Sequence, residues 1–565
     1  MKLFEPVKTN HKLFDKHEST INDAIKAVHT REHYTPYPEM PSPKVYGETA
    51  DADQKACFEK QLNSKFEGLK QSSDDWLKSE EQSPYTMEPL GISYPVFKNP
   101  VDYIKVAEKA ASDWRSTDAK TRAGILVESL ERLKHRFFEL AYATMHTTGQ
   151  AYLMSFQASG PHAADRALEA IVMGYQELTR FPEHISWEKP AGKVNLKLEK
   201  FGTNVGRGLS LSIGCSTFPT WNTVPGLYAS LITGNPVIVK PHPKAIYPIA
   251  IVIGIIQEVL AEHGFDPNLV ILAADTSEKL ITKQLAESEA VKIIDFTGGN
   301  EFGRYIESLP GKIVFTEKAG VNSIIIDSVA DLEEMAKNIA FSISLYSGQM
   351  CTAPQNIYVP EGGIKNGDRH IPLAEVEKAL VDAIKGLVEH PKVGPAVAGA
   401  IQSEATADRL KKVKDCGGEV LLESKPIENP EFPKARSGSP AILKIEKGKR
   451  DVVKGEMFGP IAFIIPTSGT EESLELASGS ARELGAISCG VYTNDADLMN
   501  KIALKMAEAG TPVSFNLTGG IYVNQNSGFS DFHVTGGNPA GNATFTDPEF
   551  VVKRFVRVQS RVCCG

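Results

Sequence analysis

At 565 residues the chain is too long for one hydrophobic core, and a length of this order implies about three domains or subdomains. Its composition, 42% apolar and 23% charged with a formal net charge of −9, is that of a soluble globular protein, and the lack of a basic excess argues against a nucleic-acid partner. The longest apolar run, residues 246–256, is about half of what a bilayer-spanning helix needs, and the segment MKLFEPVKTNHKLFDKH carries charges where a signal peptide has its apolar core. A cytoplasmic protein with no membrane partner is expected.

Residues 1–100 are polar, and the proline-spaced piece YTPYPEMPSPKVYGE at 34–48 reads as extended surface chain, so this stretch is taken as an N-terminal extension. From 101 the pattern turns helical, with apolar residues every third or fourth position in YIKVAEKAASDW and RAGILVESLERLKHRFFELAYATM. From Leu209 short apolar runs (LSLSIG, NPVIVKP, NLVILAAD, AVKIIDFTGG) alternate with helices, the pattern of a parallel sheet covered on both faces. Residues 101–316 are therefore expected to form one α/β domain, with ligands at the carboxyl ends of its strands. A second α/β domain is expected over 317–537, through LAEVEKALVDAIKGLVEH, IAFIIPTS and ISCGVYT, followed by a closing strand and tail at 538–565. KVNLKLEKFG, within a ribbon at about 190–205, and FVVKRFVRVQ at 550–559 read as lone ribbons without partners in their own domains, and so as surfaces for subunit association.

Seven cysteines without CxxC spacing suggest neither a metal site nor a disulfide framework, and the adjacent Cys563 and Cys564 are expected to be disordered. Cys351 stands apart in SGQMCTAP, at a junction between elements, although a lone cysteine is ordinarily a small buried hydrophobe. Glu317 ends the run KIVFT, where a surface pair with Lys318 is the plain alternative. Asn222, in CSTFPTWNTVPG, would ordinarily cap a helix, and Lys240, at the end of PVIVK, would ordinarily snorkel. Gly298, Gly299 and Gly303 sit where a strand passes into a helix, a place where backbone N–H groups can meet a phosphate. A thiol, an amide, a carboxylate, a lysine and a glycine-rich helix start, all at strand ends, form the set needed for covalent oxidation of an aldehyde.

From about Val101 onward the chain resembles the aldehyde dehydrogenase superfamily, through TFPTWNTVPG, GNPVIVKP, FTGGNEFG, TEKAG, GQMC and EMFGP in chain order. The resemblance implies a Rossmann-type cofactor domain, an α/β catalytic domain and a small β oligomerisation ribbon, assembled as a homodimer or homotetramer. It implies Cys351 as nucleophile, Asn222 as oxyanion donor and Glu317 as the base that activates water. For the cofactor it implies Lys240 at the adenosine ribose, Gly299 at the pyrophosphate and Glu456 at the nicotinamide ribose, with His242, Phe218, Trp221 and Phe458 in the cofactor-binding set. No metal is implied.

Two departures shape the expectation. Many relatives carry a glutamate three residues after the lysine, whereas here Lys240 is followed by Pro241-His242-Pro243; without that carboxylate, NADP is expected over NAD, its 2′-phosphate meeting Lys240, His242 or Lys244. The second is Glu317-Lys-Ala-Gly320 in place of Glu-Leu-Gly-Gly, which sets a cation and a β-carbon beside the base. Presence of Glu317 favours a free acid as product. The alternatives are a coenzyme-A-acylating relative, to which the Pro-His-Pro segment is similar, and a non-catalytic binding protein on the same fold. Within the superfamily, EKAGVNS and the tail VNQNSGFSDFHVTGGNPAGNAT resemble the PaaN group of bacterial phenylacetate degradation. That likeness implies a ring-cleavage semialdehyde as substrate, of the 3-oxo-5,6-dehydrosuberyl-CoA semialdehyde type, a type joined to coenzyme A.

Overall fold

The computed structural model describes residues 9–523 and 528–563; positions 524–527 of the tail motif, residues 1–8 and Cys564 lie outside them. Runs such as VIVK and VIL, apolar at nearly every position, must be covered on both faces, and that requirement builds a parallel sheet. Its five strands stand in the order Val270–Leu272, Val237–Lys240, Leu209–Ile213, Val291–Gly298 and Ile313–Lys318. Helices Pro219–Ile232 and Tyr247–Glu262 pack against it and are buried along most of their length, so the apolar run at 246–256 forms an internal helix. Among the described residues no helix is long and apolar enough to cross a membrane. The chain builds outward in both directions from Leu209–Ile213 and Val291–Gly298, so the carboxyl ends of these neighbours flank the switch point where such sheets bind ligands.

The second sheet has seven strands, in the order Glu419–Leu422, Ala441–Lys444, Ile461–Thr467, Asn356–Pro360, Ser323–Ile326, Cys489–Tyr492 and Val513–Phe515, with only the first pair antiparallel. The change of sheet falls later than the sequence suggests. Ile313–Lys318 pairs with Val291–Gly298, Thr297 facing Glu317, and the second sheet begins at Ser323. Two apolar strands separated by a short turn look continuous in sequence; the turn at Ala319–Asn322 sends them to different sheets. Glu317 is thus carried by the edge strand of the first sheet.

The N-terminal stretch is not surface chain. Helices Glu18–Thr30 and Ala50–Gln61 form within it, and Phe14, Ile21, Ala24, Ala27 and Tyr37 join the main core. Between the prolines, the aromatic rings turn inward: Tyr37 packs edge-on to Phe137, and Tyr46 meets Phe138 and Phe156. Apolar residues at helical spacing bury a narrow stripe even where the average composition is polar.

The two ribbons are also not partnerless, because they pair with each other. Val194–Gly206 lies between His184–Ala191 and Phe555–Cys563 in a three-stranded antiparallel sheet, which orders Cys563 as its last residue. Its outer residues Ile185, Val194, Leu196 and Val558 remain exposed. Arg554 fastens this sheet to the first one. Fully buried, its guanidinium donates to both carboxylate oxygens of Asp295 and to Ser230 Oγ, and it lies 4.2 Å and 4.4 Å from the ring centres of Phe315 and Phe550. Arg554→Leu strands the Asp295 carboxylate without its cation and is expected to destabilise the fold by about 3–5 kcal/mol. A urea unfolding midpoint equal to that of the wild type would refute this.

Candidate active site

Asn222 lies in the first turn of Pro219–Ile232, a helix that starts directly after the strand Leu209–Ile213 and whose proline stands at the first helical position. It does not cap that helix; Phe218 holds the cap position and the Asn222 side chain is free to act elsewhere. Its Nδ2 donates to Glu317 Oε2 at 3.0 Å, while Oδ1 accepts from the Cys215 thiol at 3.4 Å.

Cys351 follows a turn that only specific residues tolerate. Tyr346, Ser347 and Gly348 take successive left-handed conformations, with φ of 52°, 49° and 60°. At Gly348 a β-carbon would lie 2.4 Å from the Gly459 carbonyl oxygen, so glycine is required twice over, and the late EMFGP motif is the backbone that packs there. The strained turn is over-determined by hydrogen bonds from Tyr346 Oη to the Thr148 carbonyl, Ser347 Oγ to the Ala398 carbonyl and Gln349 Nε2 to the Ala400 carbonyl. Beyond the thiol, Asn322 Nδ2 donates to the carbonyls of Cys351 (2.7 Å) and Ala353 (3.0 Å). Its Oδ1 accepts the N–H groups of Ile487 and Ser488.

Glu317 is 3% exposed, yet its environment favours the carboxylate. Burial pushes its pKa up, but the charge and hydrogen bond of His533, the Cys351 thiol and the Asn222 amide together outweigh burial and hold it below the usual value. His533 Nε2 stands 3.1 Å from Oε1. Carboxylate, thiol and imidazole atoms all fall within 4.8 Å of one another. The Cys351 thiol is driven well above its ordinary pKa, first by burial and then by the Glu317 charge, so the resting sulfur keeps its proton and shares it with Glu317. The cation beside the base does not disturb it: Lys318 turns away to pair with Glu307. A β-carbon on Gly303 would lie within 2.6 Å of the Lys318 stem, so Gly303 makes room for that lysine, and its N–H is given to the Gly299 carbonyl.

The cofactor candidates divide. Gly299 is the N-cap of Asn300–Glu307, a helix start with no side-chain cap, and a β-carbon there would meet nothing. Open space before uncapped N–H groups suits a pyrophosphate. Gly298 lies against the Phe296 ring. Lys240 is buried at its strand end with Nζ 2.6 Å from Asp275, a carboxylate delivered by the neighbouring strand Val270–Leu272. The expectation that no carboxylate stands near Lys240 is therefore corrected: it comes from a different strand. His242 is pushed down to about 4 by burial and by the charges of Lys240 and Lys244, so at neutral pH it is no cation for a phosphate. Glu456 accepts from the Gly320 N–H and is pushed up to about 7 by burial, against the pull of Arg409, while the Phe458 carbonyl accepts from Arg409. Phe218 and Trp221 line a different space, a cavity of about 1340 Å³ that they share with Asn222, Cys351 and His533 but not with Lys240, Gly299 or Glu456. Both aromatics thus belong to the approach to the thiol.

His533, Asn322, Cys215 and Asp275 carry parts of this site that motif reading passes over. A histidine just before Gly-Gly is a faint signal, and its partner lies 216 positions away.

A thiol, a carboxamide and a buried carboxylate thus meet between two α/β sheets, with an uncapped helix start at the carboxyl end of a neighbouring strand. The chain belongs to the aldehyde dehydrogenase family, whose model matches residues 74–539, a span that contains all the superfamily motifs and begins ahead of Val101. These are oxidoreductases that act on aldehydes with NAD or NADP. The NAD-dependent aldehyde dehydrogenase from Burkholderia multivorans superposes on 98% of this chain and 99% of its own, with 46% identity and a TM-score of 0.96. The NADP-dependent glyceraldehyde-3-phosphate dehydrogenase of Streptococcus equinus is 26% identical over 458 residues, 77% of this chain and 88% of its own. The alpha-ketoglutaric semialdehyde dehydrogenase of Bacillus subtilis (strain 168) is 23% identical over 382 residues, 66% of this chain and 74% of its own.

The electrostatic pairing predicts that Glu317→Gln, by removing the charge that raises the Cys351 pKa, speeds iodoacetamide alkylation of Cys351 in the apoenzyme at pH 8 by about tenfold. Slower alkylation than in the wild type would show that the carboxylate activates the resting thiol.

Proposed function

We propose that the protein oxidises an aldehyde to a free carboxylic acid through a cysteine-bound thioester, with NAD or NADP as oxidant. What supports this reading is the convergence of Cys351, Glu317 and His533 within 4.8 Å, with the Asn222 amide on the same carboxylate. The Cys351 sulfur bonds to the aldehyde carbon as the thiol proton is lost to water. The carbonyl oxygen takes the charge and is held by the second N–H of the Asn222 amide and the Cys351 backbone N–H. NAD or NADP, when bound, would supply the two-electron oxidation by taking up the hydride that this carbon loses. Glu317 then takes a proton from water as its oxygen attacks the thioester; the carbon–sulfur bond breaks and the acid leaves. Gly299, Lys240 and Glu456 are the residues that would hold the dinucleotide.

On the choice between the two dinucleotides, the pairing of Asp275 with Lys240 and a neutral His242 support NAD, because the lysine's charge is already neutralised and the histidine adds none to attract a 2′-phosphate. In isothermal titration the wild type should bind NAD more tightly than NADP, and Asp275→Asn should narrow that gap by about tenfold. Equal affinities in the wild type would refute the assignment.

For the substrate, a ring-cleavage semialdehyde of phenylacetate degradation is supported by the PaaN-like sequence features and by the room at the thiol. A cavity of about 1340 Å³ that reaches the N-terminal segment at His33, Thr35 and Tyr37 admits an extended chain. Association as a dimer or tetramer through the exposed ribbon sheet fits the same reading.

The deciding experiment follows reduced cofactor formed from semialdehydes without coenzyme A. The wild type should turn over steadily, Glu317→Gln should stop after about one equivalent per site, and Cys351→Ala should form none. Turnover that waits for coenzyme A and yields its thioester would overturn the free-acid reading.

A further inference from the structure

In the resting site Glu317 holds three donors: the Asn222 amide on Oε2, His533 Nε2 on Oε1 and the Cys351 thiol. A carboxylate can only accept, so His533 is the donor of that bond. When the base is needed one of the three donors is lost and another is shared. Once the sulfur carries an acyl group it has no proton to give, and the Asn222 amide must serve the thioester oxygen with its second N–H while the first stays on Glu317. Among the described residues His533 is the side-chain donor that serves Glu317 alone at that stage.

The fold goes to some length to aim this side chain. The imidazole is fixed between the edge of Trp221, 4.6 Å away at 80°, and the face of Phe545, 5.8 Å away at 26°. Thr544 Oγ1 donates to the His533 carbonyl at 3.0 Å. The next residue, Val534, is β-branched and buried and has φ of 60°, a conformation that such a side chain rarely takes. Its side chain occupies the place of the missing β-carbon of Gly541, and the strand there bridges back to Glu317 itself. Strain of this kind persists where the surroundings over-determine it, and here it turns the histidine onto the carboxylate.

We propose that His533 is the positioning residue of Glu317, holding its carboxylate ionised and aimed at the Cys351 sulfur through the thioester stage so that it can take the proton of the attacking water. The assignment rests on the thioester reading above. Other titratable groups that bear on the pair are the thiols of Cys351 and Cys215 and, through Cys351, Glu456. Lys318 is not among them, since its ammonium pairs with Glu307.

Two variants separate positioning from packing. His533→Phe keeps a ring between Trp221 and Phe545 but removes the donor. In His533→Gln the side-chain amide can restore an N–H near Nε2. The probe is p-nitrophenyl acetate, which acylates the thiol without aldehyde or cofactor: the sulfur–acetyl bond forms, nitrophenolate leaves, and water later releases acetate. His533→Phe should keep a burst of about one nitrophenolate per site while acetyl-enzyme, followed by intact-protein mass, decays about tenfold or more slowly. The acid limb of its deacylation profile should move up by about one pH unit, because Glu317 loses a group that favours its charged form. His533→Gln should recover most of the rate. Wild-type deacylation and an unshifted limb in His533→Phe, or equal loss of burst and deacylation in both variants, would overturn the assignment. An enzyme that shows the expected ester kinetics but oxidises no aldehyde would overturn the function proposed above and leave this role of His533 standing.

Discussion

The arrangement of the whole chain turns on one buried negative charge. An ionised carboxylate out of contact with water costs several kcal/mol unless charge and hydrogen bonds replace its hydration. Glu317 meets that condition with donors from three unconnected places: the helix after the first strand of one sheet, the turn that feeds the other sheet, and a tail segment near the end of the chain. None of these pieces satisfies the charge alone. The cluster around Glu317 therefore assembles only when the two α/β units and the tail are in place together.

The same dependence explains the care taken with the backbone around it. Tyr346, Ser347 and Gly348 before the thiol, and Val534 beside the histidine, all sit in left-handed conformations, and each is held by packing or hydrogen bonds from another part of the chain. Arg554 adds a second compensated buried charge at the back of the first sheet, where its pairing with Asp295 ties the ribbon to the strand that runs on to Gly298. Ends of the chain distant in sequence thus close on the Gly298 side and the thiol side alike. The N-terminal segment does likewise for the cavity at the thiol, bringing His33, Thr35 and Tyr37 to a wall shared with Trp221 and Cys351.

The surroundings of Lys240 follow from similar reasoning about charge. Lys240 could have been a free cation at a strand end; instead it is neutralised by Asp275 across one strand spacing. His242 adds no positive charge because its burial and its two lysine neighbours keep it unprotonated. A site with the usual lysine but without the usual carboxylate three residues on still presents a carboxylate, drawn from a different strand.

By itself the sequence determined the elements whose causes are local. Apolar runs between helices specify parallel strands because such strands are covered on both faces, and the order of FTGGNEFG, TEKAG and GQMC marks Glu317 and Cys351 as candidates because covalent chemistry permits few residue types at such positions. What only the tertiary structure decided are pairings between residues far apart in the chain: the ribbon strands Val194–Gly206 and Phe555–Cys563, the carboxylate of Asp275 on Lys240, and the imidazole of His533 on Glu317. The polar N-terminal stretch belongs with these, since its few apolar residues have no visible purpose until a core receives them. Sequence spacing reports the period of a helix or strand, but it holds no distance between two segments that the fold alone brings within reach of a hydrogen bond.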